Sequence, residues 1–230
     1  MAEHVTQSKS VENFLKAVFT LQQQEDRVQT NSLRDALGIA APSVTDMAQR
    51  LVTAGLVDYE KYRGVVLTDA GREIALKVIR RHRLIELYLM RELGYELREV
   101  HEEAEALEHA VSDHFVEAIA HKLGNPKIDP HGDPIPSAEG VISEPHLQPL
   151  TELEPGVKAT IARLKTHDDD MLQHMLDRGF RLNARVEVVE RDPFNGPITT
   201  QVDGKRRVIG YRVAENILVT TDAALDSGGR

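Results

Sequence analysis

The sequence contains no cysteine at all, which excludes disulfides, thiolate metal ligands, iron–sulfur clusters and thiol redox sensing. Aromatic residues make up only 4% of the chain and tryptophan is absent, so the core must be built from leucine, valine, isoleucine and alanine. Also missing are a run of about 18 apolar residues and the basic and apolar regions of a signal peptide. We therefore expect a cytoplasmic protein without a membrane-spanning segment.

The net charge of −9 is unusual for a DNA-binding protein, but the acidic residues are unevenly distributed. Residues 1–83 carry 12 basic and 10 acidic side chains, whereas residues 84–230 carry 16 basic and 27 acidic ones. The N-terminal segment is therefore slightly basic and remains compatible with DNA binding. A bound divalent cation would offset part of the remaining negative charge.

The first 93 residues follow the element order of a winged helix-turn-helix. Apolar spacing and turn residues predict helices over 9–24, 31–37, 42–53 and about 70–93, and a two-stranded hairpin over 56–68. This order is typical of DNA-binding domains, although a generic small α/β domain shares parts of it.

Two sets of side chains are candidates for DNA contacts. Residues at the start of the third helix would read bases, and basic residues in the hairpin would neutralise phosphates. These candidates are Pro42, Ser43, Thr45, Asp46, Lys61 and Arg63, with Gln49 and Arg50 further along the helix. Taken singly, each is as compatible with an ordinary surface position.

The later part of the chain predicts another amphipathic helix over 99–122, a proline-rich loop over 124–149, and then a short helix with several strands. The predicted fold is mainly α with small β, and ends in a small β-barrel. The expected divisions are a winged helix-turn-helix over 1–73, a helical dimerisation and metal-binding domain over 74–145, a linker over 146–152, an SH3-like domain over 153–222, and a disordered tail over 223–230.

Histidines and carboxylates concentrate on two of the predicted helices. At about 100° per residue, four of them fall within an arc of about 100° on helix 99–122, and the preceding helix adds a pair one turn apart. These residues are His101, Glu105, Glu108 and His109, with His82 and Glu86. Such groups bind divalent cations, and carboxylates this close repel one another without one. A solvated acidic face with incidental histidines is the alternative.

A metal enzyme is the main competing interpretation. A helical di-metal site would repeat a Glu-x-x-His motif on several helices, and a second such motif is absent. Neither a glycine-rich phosphate loop nor a nucleophile motif is present. We therefore expect a regulator and not an enzyme, with no small-molecule substrate. A non-regulatory metal-binding protein and a winged-helix regulator that responds to a ligand other than metal remain alternatives.

The runs RRHRLIELYL (80–89) and VHEEAEALEHAVSD (100–113) resemble the two metal-bearing helices of the diphtheria toxin repressor and manganese transport regulator family. The segments at 10–21, 42–51 and 57–72 resemble its first helix, recognition helix and wing. The C-terminal segment resembles the SH3-like domain of longer members. The resemblance implies a homodimer that binds a palindromic operator in double-stranded DNA and represses metal uptake genes.

The resemblance also implies two metal positions. One would use Asn13 from the first helix together with Glu105, Glu108 and His109. The other would use His82, Glu86 and His101, completed by an acid among Asp168, Asp169 and Asp170. Metal would then link the first helix to the metal-bearing helices. Apolar residues near the metal helices would form the dimer interface or the core of one protomer: Leu84, Ile85, Leu87, Tyr88, Leu93, Leu107, Val111, Phe115 and Ile119.

Three positions depart from one branch of the family or another. Iron-responsive members have cysteine where this chain has Glu105, so Mn²⁺ is the expected cofactor and Fe²⁺ the alternative. Asn13 replaces the usual aspartate with a weaker amide ligand. Lys16 replaces a second acid found in some members, which disfavours a close two-manganese cluster. Glu12 is a possible substitute ligand, although we expect its side chain to point elsewhere on the helix.

Overall fold

The computed structural model describes residues 8–166 and 168–221, so the predicted disordered tail at 223–230 lies outside the described residues. The chain forms two compact units. The first comprises Met1–Ile85, Ala104–Asn125 and Ile135–Ile142, and the second comprises Glu86–Glu103, Pro126–Pro134 and Ser143–Arg230.

The first unit begins with the predicted winged helix-turn-helix. Its elements are α1 (Lys9–Leu21), α2 (Thr30–Leu37), α3 (Ala41–Thr53), β1 (Val57–Glu60) and β2 (Gly64–Leu67), followed by α4 (Asp69–Leu93). The Ser8 hydroxyl caps α1 by accepting a hydrogen bond from the Val11 amide, and Gly38 ends α2 in the left-handed region. Apolar residues from all three helices and the hairpin form one buried cluster.

The wing is an antiparallel pair in which Val57 lies opposite Leu67. Tyr62 occupies the turn with a φ of 68° and is 87% exposed. Thr68 joins the wing to α4, because its hydroxyl accepts from the Gly71 amide and donates to the Gly55 carbonyl. These contacts fix the direction in which α4 leaves the DNA-binding domain.

The predicted single helix over 99–122 is wrong. The structure has α5 (Val100–Leu107) and α6 (Asp113–Lys122), separated by a turn. Ser112 starts the second helix, because its hydroxyl accepts a hydrogen bond from the Phe115 amide. Glu108 and His109 consequently lie in the turn between the two helices and not on one continuous helical face.

The second unit contains an antiparallel sheet in the order β3-β8-β4-β5-β6-β7. Its elements are β3 (Gln148–Pro149), β4 (Lys158–Leu164), α7 (Asp169–Asp177), β5 (Arg185–Arg191), β6 (Ile198–Val202), β7 (Lys205–Ile209), α8 (Tyr211–Ala214) and β8 (Ile217–Thr221). Among the described residues no pairing joins the outer strands β3 and β7, so the sheet is open and is not shown to be the expected barrel. Strand β3 falls in the predicted loop over 124–149, and β4 precedes the short helix, where no strand was predicted.

The apolar residues expected at the dimer interface divide by exposure. Leu84, Ile85 and Leu87 are buried within the protomer, whereas Leu93 and Phe115 are 57% and 47% exposed. No helix among residues 8–166 and 168–221 has the length and hydropathy needed to cross a membrane.

Gly71 provides a test of the junction between the wing and α4. A methyl group at this position would lie 1.9 Å from the Leu56 carbonyl oxygen, so the backbones would have to separate. We expect Gly71→Ala to lower the free energy of unfolding by about 2 kcal/mol, measured by urea denaturation. Gly210→Ala, where nothing lies within 4 Å of the added carbon, is the control. Equal stability of the two variants would contradict the close approach.

Candidate metal centre and DNA-binding surface

A buried carboxylate, Glu108, lies at the centre of the candidate metal site. Its side chain is 1% exposed. The Lys16 ammonium donates to both of its oxygens, at 3.0 and 2.9 Å. Nδ1 of His82 lies 2.6 Å from Oε2, a distance at which the ring nitrogen is the donor. A cation from α1 and a histidine from α4 thus meet on one carboxylate.

The charge of Glu108 depends on these partners. Burial alone would raise the pKa of this carboxyl, but the hydrogen bond from His82 and the positive charge of Lys16 together lower it below its ordinary value. The carboxylate is therefore the form that the folded protein favours. Because the pKa is lowered on folding, the resulting stability is present above the ordinary carboxyl pKa and is lost as the pH falls through the lowered value.

His109 points its two ring nitrogens at two carboxylates. Nδ1 lies 2.5 Å from Oε2 of Glu12, and Nε2 lies 3.2 Å from Oε1 of Glu108. The expectation that Glu12 points elsewhere is therefore wrong. Glu12 also accepts from Nη1 of Arg81 at 3.3 Å, and Nη2 of Arg81 reaches Asp113 at 2.8 Å. The first helix thus contacts the site through Glu12 and Lys16.

These residues fit a divalent cation. Nε2 of His109 is buried and makes no hydrogen bond to any described residue. If Nδ1 carries the ring proton, two lone pairs face each other between Nε2 and Glu108, and a cation between them removes that repulsion. The Lys16 ammonium already contacts the carboxylate of Glu108. It also lies 3.9 Å from the exposed carboxylate of Glu105. The donor set of carboxylates and imidazole suits Mn²⁺, Fe²⁺ or Zn²⁺.

A second cluster consists of His82, Glu86 and His101, whose ligand atoms lie within 4.8 Å of one another. His82 and Glu86 are one turn apart on α4, and Nδ1 of His101 lies 3.3 Å from Oε1 of Glu86. Both Glu86 and His82 are buried, at 3% and 7% side-chain exposure. These three residues are compatible with a divalent cation and stay predicted ligands.

The remaining predicted ligands lie elsewhere among the described residues. Asn13 lines a pocket of about 620 Å³ formed with residues of α3, among them Pro42, Ser43 and Arg50. The three acids at 168–170 are exposed, and Asp168 caps α7 by accepting from the Met171 amide at 2.9 Å. Asn13 and these acids stay predicted ligands.

The candidate DNA-binding residues are mostly on the surface. On α3, Pro42, Ser43 and Asp46 are exposed, whereas Thr45 is half-buried and its hydroxyl donates to the Ala41 carbonyl. In the wing, Lys61 and Arg63 are exposed on either side of Tyr62. The Lys61 ammonium lies 5.0 Å from the Tyr62 ring centroid, and Arg63 pairs with Glu60 at 2.6 Å.

Sequence reasoning missed three residues with contacts at these sites. Arg81 was not considered as a partner of Glu12, and Lys16 was treated only as the loss of an acid. Tyr62 was passed over, although an aromatic residue between two basic ones is a recognisable surface signal. The charge partners could not be found from spacing, because they join residues 69 and 92 positions apart along the chain.

Three segments of the chain match known domain families. Residues 7–65 match the family described as iron dependent repressor, N-terminal DNA binding domain. Residues 68–137 match the iron dependent repressor, metal binding and dimerisation domain, and residues 148–221 match the FeoA domain.

The chain is also similar to named proteins, over most of its length or over about half of it. The iron-dependent repressor IdeR of Mycobacterium tuberculosis is 32% identical over 211 residues, covering 86% of this chain and 91% of that protein. The regulator MntR of Bacillus subtilis is 31% identical over 110 residues, covering 48% of this chain and 77% of that protein. A solved structure, a manganese-dependent transcriptional repressor in complex with manganese, is 40% identical with a TM-score of 0.86, covering 92% of this chain and 99% of that chain.

A substitution of Lys16 tests whether this residue compensates the buried charge of Glu108. Replacing it with methionine leaves Glu108 buried without the ammonium, with His82 2.6 Å from one of its oxygens and Nε2 of His109 3.2 Å from the other. We expect Lys16→Met to lower the free energy of unfolding of the metal-free protein by about 3 kcal/mol, because a buried charge loses its counter-ion. Added Mn²⁺ should restore most of that loss. Urea denaturation with chelator and with Mn²⁺ measures both effects.

Lys77→Met is the matched control, because Lys77 pairs with Glu73 on the surface, where both side chains are more than half exposed. Such a pair contributes little to stability. If the two variants lose the same stability in chelator, Lys16 does not compensate a buried charge.

Proposed function

Because the chain belongs to the diphtheria toxin repressor and manganese transport regulator family of metal-dependent repressors, we propose that it is a repressor whose affinity for operator DNA is raised by a bound divalent metal. The observation that carries this proposal is the buried Nε2 of His109, which faces Glu108 without a hydrogen-bond partner among the described residues. Its proposed role is to repress genes for metal uptake, and its proposed location is the cytoplasm.

The proposed metal sites follow the two clusters. The first site uses Glu105, Glu108 and His109, with the amide of Asn13 as a further ligand from α1. The second site uses His82, Glu86 and His101, with an acid among residues 168–170 as its completion. The acids and histidines would hold the metal. The metal would supply positive charge in addition to that of the Lys16 ammonium, which already joins α1 to Glu108.

Manganese is the proposed metal. Glu105 and Glu108 supply hard oxygen ligands, which favour Mn²⁺ over softer ions when the geometry also fits. The related solved structure at 40% identity is named for manganese. Iron is the second candidate, because the mycobacterial relative that aligns over 211 residues is named for iron.

The proposed switch is a shift in population. We expect metal to strengthen the existing contacts between α1 and the turn at Glu108 and His109, which would fix the winged helix relative to the metal-bearing helices. In a two-fold dimer, the recognition helices α3 must fit major grooves about 34–36 Å apart, so the operator is a palindrome. Leu93 and Phe115, both exposed, are proposed dimer contacts. The C-terminal sheet is proposed to be of the SH3-like type.

Metal dependence can be measured by fluorescence anisotropy with a labelled palindromic operator. We expect Mn²⁺ to raise operator affinity between 5- and 150-fold over chelator, the usual range of such coupling. Glu105→Gln should raise the Mn²⁺ concentration for half-maximal binding by about tenfold or more, because the site loses a charged ligand. Fe²⁺ under anaerobic conditions tests the second candidate.

The control for Glu105→Gln is Glu102→Gln, a substitution of an exposed glutamate on the same helix α5. It should leave the Mn²⁺ requirement unchanged. Equally tight operator binding in chelator and in Mn²⁺ by the unmodified protein would refute metal-dependent repression.

The wing should act through phosphates. Lys61→Ala and Arg63→Ala are each expected to weaken binding to operator and random DNA alike, and to reduce the slope of log K against log salt by about one. Lys205→Ala, an exposed lysine of β7, is the control. A loss confined to the operator sequence would show that the wing reads bases instead.

A further inference from the structure

We propose that Glu12 is the positioning residue of His109, and that this hydrogen bond carries metal occupancy to the first helix. The inference rests on the proposed function and assigns Glu12 a role distinct from that of a metal ligand. It holds whether or not Asn13 also contributes an oxygen to the metal.

The geometry assigns the ring proton of His109. Oε2 of Glu12 lies 2.5 Å from Nδ1, and both side chains are almost buried, with 11% and 10% exposure. A carboxylate acceptor this close holds the proton on Nδ1 and leaves the lone pair on Nε2. That lone pair faces Oε1 of Glu108 at 3.2 Å. Histidines that bind metals commonly have their second nitrogen held by a carboxylate in this way.

Arg81 holds Glu12 in place. Its Nη1 lies 3.3 Å from Oε1 of Glu12, which leaves Oε2 for the histidine. Its Nη2 is fixed at 2.8 Å from Asp113, at the start of α6. Glu12 therefore has one oxygen for an arginine of α4 and one for the histidine of the turn. Because each oxygen has its own partner, the carboxylate cannot swing to the metal without giving up one of them.

In this proposal, the hydrogen bond between His109 and Glu12 also transmits metal binding to α1. His109 would present Nε2 to a cation, and the loss of electron density from the imidazole would make Nδ1–H a stronger donor to Glu12. Glu12 lies on α1, and its neighbours Phe14 and Leu15 belong to the buried cluster that also contains Val44 of α3. Coupling of this kind is reciprocal, so an α1 position that aligns Glu12 also raises metal affinity.

The test compares the unmodified protein, Glu12→Gln and the exposed control Glu102→Gln. The first measurement is the ¹⁵N spectrum of the histidine rings in the metal-free protein, with His109 assigned from the spectrum of His109→Gln. We expect a single Nδ1–H tautomer for His109 in the unmodified protein and in Glu102→Gln, and a mixture in Glu12→Gln. A purely structural role for the Glu12–Arg81 pair would not move this signal.

The second measurement is Mn²⁺ binding by calorimetry, together with operator affinity in chelator and in saturating Mn²⁺. For Glu12→Gln we expect 10- to 100-fold weaker Mn²⁺ binding at one position, an unchanged number of ions at saturation, and a smaller Mn²⁺-induced gain in operator affinity. Glu12→Asp, which keeps the carboxylate, should recover part of the affinity and remains informative if Glu12→Gln folds poorly.

Two results would overturn the proposal. Mn²⁺ affinity equal to that of Glu102→Gln would show that Glu12 does not position His109. Loss of one ion per protomer at saturation would show that Glu12 is a ligand. If the unmodified protein binds Mn²⁺ without any gain in operator affinity, the proposed function and the transmission fail together, whereas the tautomer and Mn²⁺ affinity still decide the positioning of His109.

Discussion

The structure depends on one buried carboxylate, that of Glu108, which requires a positively charged partner. Glu108 is 1% exposed, and a buried charge of this kind needs a counter-ion that stays with it. Lys16 supplies one from the first helix of the DNA-binding domain. The electrostatic requirement of one residue between α5 and α6 therefore constrains where α1 lies. A change in what compensates Glu108 is felt directly by the domain that carries the recognition helix.

A repeated pairing of carboxylate and imidazole builds the rest of the centre. Glu12 meets His109 at 2.5 Å, Glu108 meets His82 at 2.6 Å, and Glu86 meets His101 at 3.3 Å. Each acceptor orients a ring and selects which nitrogen can face a cation. Glu108 takes part twice, because it faces His109 with its other oxygen. His82, a predicted ligand of the second site, thus hydrogen-bonds Glu108, the centre of the first.

Sequence reasoning predicted the winged helix and grouped His82, Glu86 and His101, whose ligand atoms lie close together in the structure. Its failures have physical causes. The winged helix, His101, His82 and Glu86 follow from local periodicity. The break between α5 and α6 was missed because apolar spacing continues through it, although the serine cap at Ser112 is a local signal. The direction of Glu12 was missed for another reason. It depends on where α4 and the turn lie relative to α1, which no local pattern specifies. Closure of the C-terminal sheet is likewise a matter of long-range pairing.

Lys16 bears on sensitivity and not on selectivity. A metal bound by Glu108 would have to displace the Lys16 ammonium, and the cost of breaking that ion pair is the same for every divalent ion. In the proposed switch, this cost would lower all metal affinities together and so raise the metal concentration needed for DNA binding. The proposed preference for manganese would then have to come from the ligands that remain, since Mn²⁺ is the weakest binder of its series. Glu105, exposed at 55% and 3.9 Å from the ammonium, is the oxygen donor through which such a preference can act.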